Sequence, residues 1–130
     1  MIAETITNVA GASDIFYGSA VTYVNSAKEH ILGVARETLE KHGAVSSECA
    51  EEMACGARSV YGADVAMSVT GIAGPGGGSA AKPVGTVWFG LSSKDGTETF
   101  RRIFKGGRSD VRRQTVEEVL RRLAEIGERL

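Results

Sequence analysis

Val69-Thr70-Gly71-Ile72-Ala73-Gly74-Pro75-Gly76-Gly77-Gly78-Ser79-Ala80-Ala81-Lys82-Pro83-Val84-Gly85-Thr86-Val87 joins two apolar segments through a loop with five glycines. Gly71 and Gly74 can take positive φ and let the backbone approach a ligand closely. Successive free N–H groups in such a loop form a nest that suits an anion such as a phosphate. Thr70 stands at the end of the first strand, where its hydroxyl can point into the same hollow. A mobile connector between strands is the plainer reading. The loop is long for that role, and its first half is not the Gly/Ser mixture of a flexible linker.

The order strand, glycines, strand excludes two common phosphate loops. A Walker loop leads from its lysine into a helix, whereas Lys82 is followed by Pro83 and a strand. A dinucleotide fingerprint also needs a helix after its glycines. A nucleoside triphosphatase and a dinucleotide dehydrogenase therefore find no motif here.

Working outward, Asp64–Thr70 reads as a continuous apolar strand buried on both faces. Val84–Ser92 is its counterpart after the loop. Ser93-Lys94-Asp95-Gly96 is a hairpin turn signal, and Thr97–Lys105 returns antiparallel. A last helix follows, capped by Ser109 or Asp110, with Val116, Val119, Leu120, Leu123 and Ile126 on its apolar face. Arg108 and Arg112 sit near its start, where helix N–H groups also favour anions, and they are candidate substrate-binding residues. Most of the other arginines suit solubility and i,i+4 pairing.

Upstream, Ser46 caps a helix running through Tyr61 and ended by Gly62. Ala35–His42 is a shorter helix stopped by Gly43. Ile15–Tyr23 is rich in aromatic and β-branched residues and reads as a strand. It runs into Asn25, a good N-cap for Ser26–Leu32, which Gly33 closes. Tyr23 at the strand end and Lys28 in the first helical turn can converge. A lysine near a helix N-terminus is disfavoured as a cation, and with burial that suits it to act as a general base. An exposed surface lysine is the alternative. Met1–Val9 reads as a short helix ending at Gly11, with Ser13-Asp14 marking a turn. Its pattern is already under way at the first residue.

One domain with a real core fits 130 residues of which 42% are hydrophobic. Helices interleaved with strands predict an α/β domain with a mixed sheet and helices on both faces. The net charge of −1 gives no pull toward nucleic acid or membrane. Residues 94–130 carry ten Lys/Arg and seven Asp/Glu, a balance too mixed for a polynucleotide track but useful for a small anion. Cys49 and Cys55 fall on different faces of one helix with no histidine nearby, so they read as free thiols of a reducing cytosol, with no metal site. His30 and His42 read as surface residues.

Gly18-Ser19-Ala20-Val21-Thr22-Tyr23-Val24-Asn25-Ser26-Ala27-Lys28, then His42-Gly43-Ala44-Val45-Ser46, then Val69 to Val87, resemble the C-terminal domain of the CinA family. These are the competence/damage-inducible proteins, also called nicotinamide mononucleotide deamidases. The likeness runs in order over nearly the whole chain. It implies a single domain over residues 1–130 with a three-layer α/β/α fold around a mixed sheet. It implies hydrolysis of the carboxamide of nicotinamide mononucleotide to nicotinic acid mononucleotide and ammonia, in pyridine nucleotide salvage. It further implies a cytoplasmic homo-oligomer acting on a small nucleotide, without cofactor, metal, nucleic acid or membrane.

In the family a lysine activates a serine nucleophile. By position Lys28 matches that lysine, Tyr23 a family tyrosine, and Thr70 with Gly71, Ile72, Ala73 and Gly74 the lining of the substrate pocket. Asn25 joins them as a substrate-binding candidate. The family's serine is expected in a Glu-Ser-Cys-Thr-Gly-Gly stretch ahead of the segment matching Met1, together with a first strand. Residues 1–130 hold no such stretch. Ser13 matches a second family serine and can lie near Lys28, although a turn hydroxyl is its simpler role. Two readings follow: an amidohydrolase whose start lies upstream, or a non-catalytic nucleotide-binding or oligomeric remnant.

Overall fold

The computed structural model describes residues 1–129. Its helices are α1 (Ile2–Thr7), α2 (Asn25–Leu32), α3 (Arg36–His42), α4 (Ser47–Tyr61) and α5 (Arg108–Arg129), and Ala12–Asp14 form a 3-10 turn. Its strands are β1 (Val65–Gly71), β2 (Thr86–Ser93) and β3 (Gly96–Ile103), in spatial order β1-β2-β3. Among the described residues no helix is long and apolar enough to cross a membrane.

The helix boundaries follow from their end residues. Ser46 Oγ accepts the Cys49 N–H at 3.1 Å, which satisfies one of the free donors at the start of α4. Gly62 closes α4 in the left-handed conformation, and Gly33 does the same for α2. Before α5, the Gly107 N–H donates to Asp110 Oδ2 at 2.9 Å, so the aspartate reaches back from the first turn as an acidic cap.

The sheet expected to be mixed has two pairings, and both are antiparallel. Ser93 pairs with Gly96, leaving Lys94-Asp95 as a two-residue hairpin loop. Alternation along β2 builds the layers. Val87 and Phe89 face α5, packing with Val111 and Val119 and with Met67 and Val69 of β1. Gly90 faces α4 so closely that a Cβ there would meet the Ala50 carbonyl, and Ser68 Oγ donates to that same carbonyl at 2.6 Å. On the far side of α4, Leu32, Val34, Leu39, Cys49 and Met53 form a second core with α2 and α3. A Cβ at Gly56 would collide with the Leu32 carbonyl, so α2 and α4 touch backbone to backbone. The result is a three-layer arrangement: α2, α3 and α4, then the sheet, then α5 with α1.

Two expectations fail. Ile15–Tyr23 forms no strand. Composition offers β propensity, but propensity acts only when a neighbouring strand supplies the ladder. The segment is held instead by Gly18 against the Tyr61 ring, by Ala20 on the α2–α4 core, and by the Thr22 carbonyl. Ile15, Tyr17, Val21 and Tyr23 remain exposed. Strand β1 is also not buried on both faces. Only Ser68 and Thr70 in it are fully buried, and these face α4.

Candidate active site

Lys28 is buried, with 6% of its surface exposed. Its Nζ donates to the Thr22 carbonyl at 2.7 Å and to the Tyr23 carbonyl at 3.4 Å. Helix α2 begins at Asn25, so Lys28 lies in the first turn and its side chain reaches back over the chain that enters the helix. Two of the three ammonium hydrogens are thereby committed, leaving one direction for another partner. Lys28 and Tyr23 do converge, but through the tyrosine's backbone. The Tyr23 side chain is 80% exposed. Asn25 is exposed and caps nothing; the N-cap is Val24, without a side-chain hydrogen bond.

Thr70 stands near the end of β1, buried, and its hydroxyl donates to the Ala44 carbonyl at 2.8 Å. That bond ties the sheet to the turn between α3 and α4. Beyond it the glycine loop is stitched at its base: Ile72 N–H donates to the Thr86 carbonyl and Gly85 N–H to the Ile72 carbonyl. The N–H groups of Ala73 and Gly74 have no acceptor among the described residues. Gly74 has φ +86 and precedes a cis peptide to Pro75, and a Cβ on it would strike Val84. Arg108 donates to the Gly74 carbonyl at 2.9 Å, which holds the loop to the start of α5. Arg112 is exposed one turn further on. Gly76 to Ala81 are exposed.

Ser13 is exposed in the 3-10 turn and lines a hollow of about 400 Å³ with Thr7, Val9, Gly11 and Phe16. Lys28 does not contribute to that lining.

Cys49 lies at the start of α4, fully buried, and Cys55 is exposed; both are free thiols, as their spacing predicts. Burial pushes the Cys49 thiol up, while Lys28 and Lys82 both pull it the other way. The two lysines thus flank one thiol, although they come from distant parts of the sequence. Sequence reasoning did not assign Lys82 to the site. It folds back so that Nζ donates to the His42 carbonyl at 2.7 Å. His42, read as a surface residue, places its Nδ1 3.8 Å from Glu48 Oε2.

The geometry can now be set beside known proteins. The CinA C-terminal domain family model matches residues 1–126. The chain is 55% identical over 115 residues to the nicotinamide-nucleotide amidohydrolase PncC of Enterobacter agglomerans, covering 88% of this chain and 70% of that protein. It is 48% identical over 120 residues to a putative competence-damage inducible protein of Caldicellulosiruptor bescii, of which it spans 29%. The crystal structure of the competence/damage inducible protein CihA from Agrobacterium tumefaciens superposes with a TM-score of 0.92 at 43% identity, over 97% of this chain and 78% of that one. The family match across almost every residue, joined to identity near one half and a superposable fold, leaves one assignment: this chain belongs to the CinA C-terminal domain family.

Proposed function

We propose that this domain serves a nicotinamide-nucleotide amidohydrolase, in which Lys28 is the proton acceptor for a serine nucleophile. The observation that carries the reading is the buried Lys28 Nζ, which donates to two backbone carbonyls at the family's lysine position; as a neutral amine it spends its two N–H groups there and keeps its lone pair for the serine proton. The likeness to an amidohydrolase at 55% identity supports the substrate class. The alternative of a non-catalytic remnant gains nothing from these relatives.

The chemistry follows in two halves. The serine oxygen attacks the carboxamide carbon, and its proton passes to Lys28 Nζ. The carbonyl electrons move onto oxygen, and the tetrahedral intermediate expels ammonia, which takes the proton from Lys28. Water then attacks the acyl-serine and loses a proton to Lys28, which returns it to the serine oxygen as nicotinic acid mononucleotide leaves. In this reading the N–H groups of Ala73 and Gly74, which have no acceptor among the described residues, receive the developing oxyanion. On the same reading Thr70 and Gly71 to Gly74 line the amide end of the substrate site, as the family resemblance implies, and the Arg108 bond to the Gly74 carbonyl supports that loop. Arg112 and Asn25 are exposed, and in this reading they meet the substrate from outside. Tyr23 serves through its carbonyl. Ser13, a turn hydroxyl, is not the nucleophile in this reading.

Product analysis tests the reaction type. With the expected Glu-Ser-Cys-Thr-Gly-Gly segment placed ahead of Met1, incubation with nicotinamide mononucleotide should yield nicotinic acid mononucleotide and ammonia in equal amounts. Free nicotinamide with ribose 5-phosphate would mean that the glycosidic bond is cut instead, and would overturn the amidohydrolase reading.

A further inference from the structure

A second hollow, of about 240 Å³, lies between the start of α4 and the sheet. It is lined chiefly by His42, Ser47, Glu48, Lys82, Trp88 and Arg101. We propose that this hollow receives the phosphate of a mononucleotide, with Lys82 and Arg101 supplying the charge and Trp88 the flat wall. The inference deepens the amidohydrolase reading by giving the substrate's phosphate a place, and it rests on that reading for the identity of the attached ring.

Two cations meet here without a carboxylate of their own. Among the described residues neither Lys82 nor Arg101 has a salt-bridge partner, whereas Arg36, Arg102, Arg113, Arg121 and Arg122 all do. The Arg101 guanidinium lies 5.8 Å from the centre of the Trp88 ring, across the β2–β3 register pair Trp88–Arg101. Lys82 is fixed by the His42 carbonyl, so its ammonium is positioned before any ligand arrives.

One acid opposes them. Glu48 is held below its usual range by its own backbone N–H, then by the Ser47 hydroxyl, with His42 and Lys82 adding to both. It is therefore a carboxylate, and the hollow carries one net positive charge from these three groups. Glu48 is already engaged by Ser47 Oγ at 3.0 Å and by His42, which leaves Lys82 and Arg101 as the free binding charges. A phosphate monoester fits that inventory.

The volume sets the rest. It is below the ordinary range for a whole small-molecule ligand, about 300–1,000 Å³, so it suits the phosphoribosyl end of a nucleotide rather than the whole. Lys82 of this hollow and Lys28 both act on the Cys49 thiol, which ties the hollow to the neighbourhood of the proposed proton acceptor. Thr70 is the cross-strand partner of Trp88 on the α4 side of the sheet, and its hydroxyl meets Ala44, which packs on the core that α2 helps to build.

Trp88 is the single tryptophan of the chain, so its fluorescence reports on this hollow alone. The test titrates the purified chain with ribose 5-phosphate and with nicotinamide mononucleotide, following Trp88 emission and binding heat together. Both ligands should change the emission saturably, and Arg101→Gln and Lys82→Gln should each weaken both by about tenfold. Far-UV circular dichroism checks the folding of each variant. Arg101→Gln keeps the test decisive if Lys82→Gln unfolds, because Arg101 is exposed and its side chain has no salt bridge among the described residues. Binding of nicotinamide mononucleotide with full affinity in Arg101→Gln and no change in emission would overturn the hollow while leaving amide hydrolysis standing. No binding of either ligand would overturn it as well. Binding of both ligands as described, with no carboxamide hydrolysis once the upstream serine segment is supplied, would keep the hollow and sink the amidohydrolase reading.

Discussion

In the chain extended by the expected upstream serine segment, Lys28→Ala is expected to lower kcat/KM for carboxamide hydrolysis by about 10²–10⁴-fold, the span over which positioned acid–base groups act. Alanine removes the proton acceptor and also strands the Thr22 carbonyl, which is buried and loses its donor. Lost rate could therefore come from lost structure. Lys28→Arg separates the two. The guanidinium keeps a cation and donors near the Thr22 and Tyr23 carbonyls, but it does not give up its proton in water. The account predicts that Lys28→Arg stays folded, with a thermal midpoint close to that of the parent, and is nearly as inactive as Lys28→Ala. Steady-state kinetics and a melting curve on the same preparations make the comparison. Activity in Lys28→Arg within tenfold of the parent would mean that the lysine only holds the entry to α2.

Phe89→Ala is expected to cost about 3–5 kcal/mol of folding stability. Phe89 is fully buried in the middle of β2. Its ring stacks on Phe100 with centroids 4.8 Å apart and planes 5° from parallel, and meets Phe104 edge-on at 6.3 Å. It also packs on Val111 and Val119, so one side chain joins the sheet to α5. Truncation opens a cavity in a layer closed by two rigid elements, which cannot collapse around it. A domain of this size has only about 5–15 kcal/mol to lose. Urea unfolding monitored by circular dichroism measures the change, and a loss below about 1 kcal/mol would show that the α5 layer does not depend on this ring. Phe89→Leu, which keeps most of the volume, should cost clearly less.

The layers were legible wherever an end signal and a period agreed. Ser46, Gly33 and Gly62 each mark a helix end by chemistry that needs no tertiary partner, and each sits where the sequence places it. The Lys94-Asp95 turn fixes the β2–β3 register in the same local way. Ile15–Tyr23 was misread because strand composition carries no information about who the neighbour is. In the structure that segment has anchors but no ladder, and Tyr23 turns its ring to solvent.

The site divides along the same line. Lys28 could be found from its place in the first turn of α2, and Thr70 from its place at a strand end. Trp88 and Arg101 were also within reach, because counting outward from the hairpin turn pairs them. Lys82 was not. Its contact with His42 spans forty residues and depends on how the glycine loop folds back, which no local pattern encodes. The charges that define the phosphate hollow are thus assembled by the fold rather than written in one motif.

The most direct measurement is ammonia release from nicotinamide mononucleotide by this chain carrying, ahead of Met1, the Glu-Ser-Cys-Thr-Gly-Gly segment that the family resemblance expects. The account predicts release that stops when the serine of that segment becomes alanine and that stops equally in Lys28→Ala. No release from the folded, nucleotide-binding protein, or release indifferent to Lys28, would contradict it.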